Sequence, residues 1–244
     1  MDYEMIVQKV YESILENGDY AIDVGAHLGR HTIPIANKIA PNGRLFAVEP
    51  LPICQHALLN SIRSNPLNLI DIVTVYQYAL SDYESESDFS VIIDDPGYSG
   101  LKERKLDNKS RIEKIKVTVK KLDNLFSELE ALKYIKIDAE GGEFNILKGG
   151  INIIKKFRPV VTFEFGASSY SAYDVIPEHV YNFWNELNYE IYDILGNLID
   201  NERSFAQSSI NQNIWDYIAI PAENRAAIDK VLKIIRESLS IYAK

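Results

Sequence analysis

The chain has 244 residues, 46% of them hydrophobic and 25% charged, the composition of an ordinary water-soluble globular protein. Its net charge of −9 speaks against nucleic acid and anionic membrane surfaces as partners, because both call for a basic footprint. A lone cysteine, Cys54, rules out an internal disulfide; together with the lack of any span-length apolar run and an acidic Met1-Asp2-Tyr3-Glu4 start unlike a signal peptide, it places the expected location in the cytoplasm.

Read in chain order, Tyr3, Ile6, Val7, Val10, Tyr11, Ile14 and Leu15 recur at helical spacing, and Gly18 ends this first helix, giving an N-terminal helical segment over 1–18. Residues 20–24 read as the first strand. The strand runs into Gly25-Ala26-His27-Leu28-Gly29, a glycine turn that opens a helix over 30–39, stopped by Pro41-Asn42-Gly43. Residues 44–49 form the second strand and close on Glu49. A helix over 53–63 follows, stopped by Asn65-Pro66, and then a third strand over 72–78 that leads into Ala79-Leu80-Ser81-Asp82. Strands alternating with helices of this size predict βαβ units and a parallel sheet.

The first turn carries chemistry. In an open α/β sheet, ligands bind in the crevice at the carboxyl ends of the strands. Gly25 and Gly29 expose backbone there, and Glu49 can accept from both hydroxyls of a ribose. A dinucleotide site would use Gly-x-Gly-x-x-Gly to approach a pyrophosphate. Here Asp23-Val24 stands where the first glycine belongs, and Asp23 would repel a pyrophosphate. Asp23 suits a cationic ligand instead, which favours S-adenosylmethionine, with its ammonium and sulfonium, over a nicotinamide dinucleotide. A plain tight turn with no ligand is the structural alternative.

Residues 88–93 and 115–121 look like two strands with no helix between them. They read as a β-hairpin inserted over 83–121 between the third and fourth strands. It flanks Asp94-Asp95-Pro96-Gly97-Tyr98-Ser99-Gly100 and a polar run over 102–114. A loop of this length is a candidate lid, with Tyr98 and Ser99 as candidate acceptor contacts, or else a solvated face. Alternation resumes with a strand over 134–138, a helix over 143–153, a strand over 160–165 after Arg158-Pro159, a helix over 177–187 and a strand over 189–194. Residues 197–213 read as polar and irregular. A final strand over 214–220 and an amphipathic helix within 223–244, marked by Ile228, Val231, Leu232, Ile235 and Leu239, close a single domain spanning 1–244.

The second informative stretch is Ile135-Lys136-Ile137-Asp138-Ala139-Glu140-Gly141-Gly142-Glu143. Glu143 suits a helix N-terminus. Asp138 falls instead at a strand end beside the proposed donor, and Glu164 ends the next strand, so the two carboxylates can meet if those strands are neighbours. One carboxylate can serve as general base toward an attacking hydroxyl. Alternatively, Asp138 and Glu164 can hold Mg²⁺, which takes oxygen ligands and acidifies a bound hydroxyl. His27 and His31-Thr32 can line the donor cavity, and a metal role for the two histidines requires a shared face that the turn does not guarantee. His179 is a candidate base on the substrate side. Tyr170 and Tyr173 can stack on a sugar or aromatic acceptor or simply belong to a surface loop. Cys54 reads as a small apolar filler.

These residues resemble the FkbM methyltransferase family. The matching pieces, in family order over roughly residues 20–166, are Asp23 to Thr32, Val48-Glu49-Pro50, Ala79-Leu80-Ser81-Asp82, Leu122-Asp123, Ile135 to Glu143, Leu147-Lys148-Gly149 and Arg158-Pro159 with Glu164. The resemblance implies a Rossmann-like class I methyltransferase fold, a mostly parallel seven-stranded sheet flanked by helices with its last strand antiparallel. It implies S-adenosylmethionine as donor and O-methylation of a small-molecule or glycan hydroxyl. By position, Asp23, Gly25, Ala26, His27, Gly29 and Thr32 would surround the methionine end. Glu49 and Pro50 would sit at the ribose, and Ala79, Leu80, Ser81 and Asp82 near the adenine. Asp138 and Glu140 would face the transferred methyl. A non-catalytic binding module and a nicotinamide-dependent oxidoreductase are the competing classes.

Overall fold

The computed structural model describes residues 3–103, 111–166, 170–210 and 214–242. At its centre is an eight-stranded sheet. In chain order its strands are β1 (Tyr20–Val24), β2 (Arg44–Val48), β3 (Val73–Tyr76), β7 (Tyr134–Ile137), β8 (Val160–Glu164), β9 (Tyr189–Asp193), β10 (Leu198–Ile199) and β11 (Asp216–Pro221). Their spatial order is β10-β9-β11-β8-β7-β1-β2-β3. β1, β2, β3, β7 and β8 are parallel, and β11 runs antiparallel between β8 and β9.

Where the sequence predicts seven strands, the described residues form eight. β10 pairs antiparallel with β9 through Leu198↔Tyr192 and Ile199↔Ile191. It was hidden because two residues give no visible alternation. The same stretch, expected to be irregular, also contains a helix over Glu202–Ile210 that buries Phe205.

The helices are α1 (Tyr3–Ile14), α2 (Thr32–Ile39), α3 (Pro52–Ser64), α4 (Leu122–Leu125), α5 (Glu143–Gly149), α6 (Ile151–Phe157), α7 (Pro177–Glu186), α8 (Glu202–Ile210) and α9 (Arg225–Tyr242). The single helix expected over 143–153 breaks at Gly150 into α5 and α6. The core has two faces, as a sheet covered on both sides requires. On one, α1, α2, α3 and α9 pack Val10, Ile35, Leu58 and Val231 against Ala21, Leu45 and Ile218. On the other, α4 to α8 pack Phe126, Ile146, Trp184 and Phe205 against Ile22, Ile135, Val161 and Tyr217. A fully buried side chain of this size contributes about 1.5–3 kcal/mol, so both layers help hold the sheet.

The insertion is an antiparallel pair, β5 (Ser85–Ile92) and β6 (Ile112–Lys120), longer than the sequence suggested and in register from Ser85↔Val119 to Ile92↔Ile112. The short β4 (Ala79–Leu80) joins β6 in parallel and makes a three-stranded sheet. Ala79, Phe89, Val117 and Val119 on this sheet pack over Leu51 and Cys54, so Cys54 is a buried filler between the insertion and the main body. Part of the polar run, residues 104–110, lies outside the described residues.

Candidate active site

Register brings three strand ends to one level. Val24 lies opposite both Val48 and Ile137, so the residues that follow, Gly25, Glu49 and Asp138, leave the sheet side by side. The Gly25 and Ala26 amides donate to the Val48 carbonyl at 2.9 and 3.1 Å, and the Asp138 amide donates to the Val24 carbonyl at 3.1 Å. Gly25 has φ +76°, and a Cβ there would lie 1.7 Å from the Asp138 carbonyl oxygen. Only glycine permits this approach of the two loops.

A cleft of about 820 Å³, open to solvent, occupies this edge. Its floor is Val24, Gly25, Val48 and Glu49, one wall is Asp138, Ala139, Glu140 and Gly142, and Tyr78, Ala79 and Leu80 form another. The inserted hairpin roofs it with Phe89, Pro96, Gly97, Ser99 and Leu101.

Glu49 is the organising carboxylate of the floor. It is buried, and its two oxygens accept from the His27 and Leu51 amides, each at 2.8 Å. Each oxygen keeps a further lone pair for a hydroxyl donor. Burial pushes its carboxyl up to about 7 against those two hydrogen bonds, with Asp23 and Asp138 adding to the rise. His27, at φ 47°, completes the turn around it.

The glycine loop divides the expected donor residues. Gly25, His27, Glu49, Pro50, Ala79 and Leu80 line the cleft. Asp23, Ala26, Gly29, Thr32, Ser81 and Asp82 lie outside that lining. Asp23 points to the opposite face of β1 from Val24, because side chains alternate along a strand. It is buried there, with Thr32 Oγ1 donating to its Oδ2 at 2.6 Å, and its Oδ1 lacks a hydrogen-bond partner among the described residues. Ala26 belongs to the core, and a Cβ on Gly29 would press on the Leu58 side chain at 2.7 Å. Ser81 and Asp82 turn toward α5: Lys148 holds Asp82 at 2.6 Å, and Gly149 leaves room for the Ser81 carbonyl, which a Cβ would meet at 2.2 Å.

On the acceptor side, Asp138, Glu140 and Glu164 converge, each with one carboxylate oxygen within 4.8 Å of the others. Such oxygen donors match the chemistry of Mg²⁺, and they equally match a proton acceptor. Glu143 clasps the loop beneath them, accepting from the Ala139 amide at 2.7 Å and the Gly141 amide at 3.2 Å. Burial pushes Glu143 up to about 7. Burial, with Asp138 and Asp216 nearby, pushes Glu164 well above the usual carboxylate range.

Two members of this cluster escaped the sequence. Lys136 is buried two residues before Asp138, in register with Asp23 on β1 and Thr162 on β8, and its Nζ lies 3.0 Å from Asp138 Oδ2. Burial pulls its ammonium down, but Asp138, Asp23 and Glu4 outweigh that and hold it above its usual range. Asp216, opposite Glu164 across the β8–β11 pair, is pushed up to about 7 by burial and by Glu4 and Asp138. A lysine at an inward position of an apolar strand was the available signal for the first. The antiparallel pairing that places Asp216 has no local signature.

The expected acceptor contacts scatter. Ser99 lines the cleft, but its Oγ accepts from the Ile92 amide and shapes the loop. Tyr98 is exposed and away from the cleft lining. Tyr170 is buried against Phe165, and its hydroxyl donates to the Glu164 carbonyl, so its ring is core material. His179 is exposed on α7, stacked on Phe144 outside the cleft. His31 is buried with Nε2 on Glu4 and Nδ1 3.2 Å from the Tyr11 hydroxyl; it ties α1 to the glycine loop.

The methyltransferase FkbM domain matches residues 23–191, more than half of the chain and all the loops just described. The chain belongs to the FkbM methyltransferase family. Among solved structures, this FkbM chain resembles the methyltransferase FkbM from Methylobacillus flagellatus KT, at 16% identity and TM-score 0.51, over 85% of this chain and 47% of that one. It thus spans about half the length of that protein. A putative rRNA-methylase from Clostridium thermocellum follows at 14% identity and TM-score 0.49, over 88% and 95% of the two chains. Fibrillarin from Aeropyrum pernix, a structure containing bound S-adenosyl-L-methionine, gives 11% identity and TM-score 0.47, over 88% and 74%. No curated protein matches this FkbM chain significantly in sequence. At these identities the structural likeness concerns fold, a class I methyltransferase-like α/β architecture. Among the described residues, no helix is long and apolar enough to cross a membrane.

Proposed function

We propose that this FkbM-family protein transfers the methyl group of S-adenosylmethionine to a hydroxyl oxygen of a small-molecule or glycan acceptor, a sugar hydroxyl in particular. The observation that carries this reading is the convergence of Gly25, Glu49 and Asp138 on one cleft at the carboxyl edge of β1, β2 and β7. The donor supplies a methyl group on a positively charged sulfur. Glu49 would accept from the ribose hydroxyls with the lone pairs left free by His27 and Leu51. The buried acidic surroundings of Asp138 favour a sulfonium over a neutral thioether. The hydroxyl oxygen forms a bond to the methyl carbon as the carbon–sulfur bond breaks, and a carboxylate of Asp138, Glu140 or Glu164 takes the hydroxyl proton. Such a base contributes roughly 10²–10⁴-fold, and alignment of oxygen, carbon and sulfur contributes more, up to about 7–11 kcal/mol.

The spacing of Asp138, Glu140 and Glu164 supports a second form of the same mechanism, in which these residues would hold Mg²⁺, and the bound ion would supply a lowered pKa for the acceptor hydroxyl. The deciding experiment is a labelled methyl-transfer screen against sugars, glycans and polyketide alcohols, with and without EDTA. Transfer to a sugar hydroxyl supports the reading; activity lost with EDTA and restored by Mg²⁺ selects the metal form. Donor binding with no transfer to any acceptor would favour the non-catalytic module. Stabilisation by NADH and not by S-adenosylmethionine would favour the oxidoreductase.

A further inference from the structure

A second depression lies beside the cleft and shares a wall with it. The groove between α5 and α7 holds about 940 Å³ of open space, and Tyr173 lines both cavities. Tyr173 is buried, and its hydroxyl accepts from the Lys102 amide at 3.2 Å. A Cβ on Gly100 or Gly142 would lie 3.5 or 3.8 Å from that same oxygen. The side chain is therefore where the hairpin loop, the loop carrying Glu140 and the loop after β8 meet. An acceptor whose reacting hydroxyl enters the cleft needs a surface adjoining the methyl-transfer edge for the rest of its body, and the groove joins the cleft at Tyr173.

The groove's lining has a definite chemistry. Phe144 lies parallel to His179, with centroids 6.1 Å apart and an interplanar angle of 18°, and edge-on to Phe183 at 6.0 Å. Asn145, Asn182, Asp174 and Glu186 surround these rings. Lys148, which lines the groove with His179 as its other basic residue, is held by Asp82 at 2.6 Å and lies 5.3 Å from the Phe144 ring centroid. Aromatic faces offer apolar contact to ring C–H groups, while carboxamides and carboxylates pair with vicinal hydroxyls. Two carboxylates against one committed lysine disfavour an anionic ligand. A flat aromatic acceptor would leave the four polar groups poorly matched, and an open groove gives it no slot to enter.

We propose that the α5–α7 groove is the bed for the body of the acceptor and that its occupant is a neutral pyranoside, with Tyr173 as the rim over which the reacting hydroxyl reaches the methyl-transfer edge. The assignment rests on the donor reading of the main cleft and adds to it a separate set of residues. His179, Asn182 and Phe144 are specificity residues in this arrangement and lie outside the lining of the donor cleft.

The test is saturation-transfer NMR on the full chain, with and without S-adenosylhomocysteine. The probes are methyl pyranosides of glucose, galactose, mannose, rhamnose and N-acetylglucosamine, with methyl glucuronide as an anionic probe and quercetin as a planar aromatic one. At least one neutral pyranoside should be saturated, and the glucuronide should not. His179→Ala and Asn182→Ala replace exposed side chains, and each should weaken the pyranoside by about fivefold or more while S-adenosylhomocysteine affinity stays unchanged. No saturated pyranoside, preferential binding of quercetin or the glucuronide, or pyranoside binding indifferent to both substitutions would overturn the groove assignment. Failure of S-adenosylhomocysteine to bind in calorimetry would overturn the donor reading instead, and the probes measured without it still judge the groove.

Discussion

Lys136 Nζ sits 3.0 Å from Asp138 Oδ2, and this ion pair places a buried cation directly behind the proposed methyl-transfer edge. The Lys136 side chain is 7% exposed and that of Asp138 31%, so the pair is buried at one end and open at the other. Removing the lysine strands Asp138 beside Asp23, Glu164 and Asp216. Lys136→Met should cost about 2–3 kcal/mol in chemical denaturation, below the value for a fully buried pair because solvent screens the open end. A loss under about 0.5 kcal/mol, the scale of an unremarkable surface change, would show that the pair does not organise the cluster.

Asp138→Asn keeps the shape of the side chain and removes its charge. Turnover should fall by roughly 10²-fold or more while S-adenosylhomocysteine affinity changes by less than about threefold, since a base acts on the proton and not on the thioether. Equal losses in turnover and affinity would make Asp138 a binding residue.

Glu49 yields a pH prediction. Its folded carboxyl lies near 7, above the ordinary value of 4.5, chiefly through burial. The neutral form is thus favoured in the empty protein, and its contribution to stability, complete below pH 4.5, is lost as pH rises through about 7. Ribose hydroxyls donate to the ionised form, so donor binding should release a proton and tighten as pH rises from 6 to 8. Calorimetry in buffers of different ionisation heat reads that proton. Glu49→Gln should abolish the pH dependence and weaken the donor by at least about tenfold, the scale of a hydrogen bond to a charged group.

Gly25→Ala should fail at the loop crossing. The new Cβ would meet the Asp138 carbonyl at 1.7 Å at a backbone φ of +76°. Positive φ alone costs about 1–3 kcal/mol, and the two loops must also separate. Loss of donor binding with a lowered melting temperature is expected; an unchanged donor affinity would mean that the crossing is slack.

His31 joins α1 to the glycine loop through Glu4 and Tyr11. The hydrogen bond to His31 holds Glu4 down to about 2 against the opposing effect of burial. A depressed carboxyl stabilises above its unfolded value and loses that effect as pH falls from 4.5 toward 2. Glu4→Gln should destabilise at pH 7 by about 1 kcal/mol, discounted for the exposure of Glu4, and the difference from the parent should shrink on acidification. A constant difference from pH 7 to pH 3 would remove the link from the account.

The parts legible in sequence were those written in local pattern. Gly25 and Gly29 after an apolar run announced the turn, and Glu49 and Asp138 stood at the ends of strands whose neighbours could be inferred. The fate of Asp23 was not legible, because one step along a strand reverses a side chain and the strand's exact end decides the face. Asp216 depends on an antiparallel partner distant in sequence. Tyr170 and Tyr173 looked equivalent on paper, yet one fills the core and the other stands between two cavities.

β11 has a consequence for what can stand alone. The family match begins at residue 23, within β1, and ends at residue 191, within β9. β11 comes later in the chain yet lies between β8 and β9, bonded to both. A fragment trimmed to the matched stretch would therefore have a missing plank in the middle of its sheet, exposing the backbone edges of β8 and β9 to any passing strand. For this protein, the unit that homology delimits and the unit that folds cooperatively have different borders.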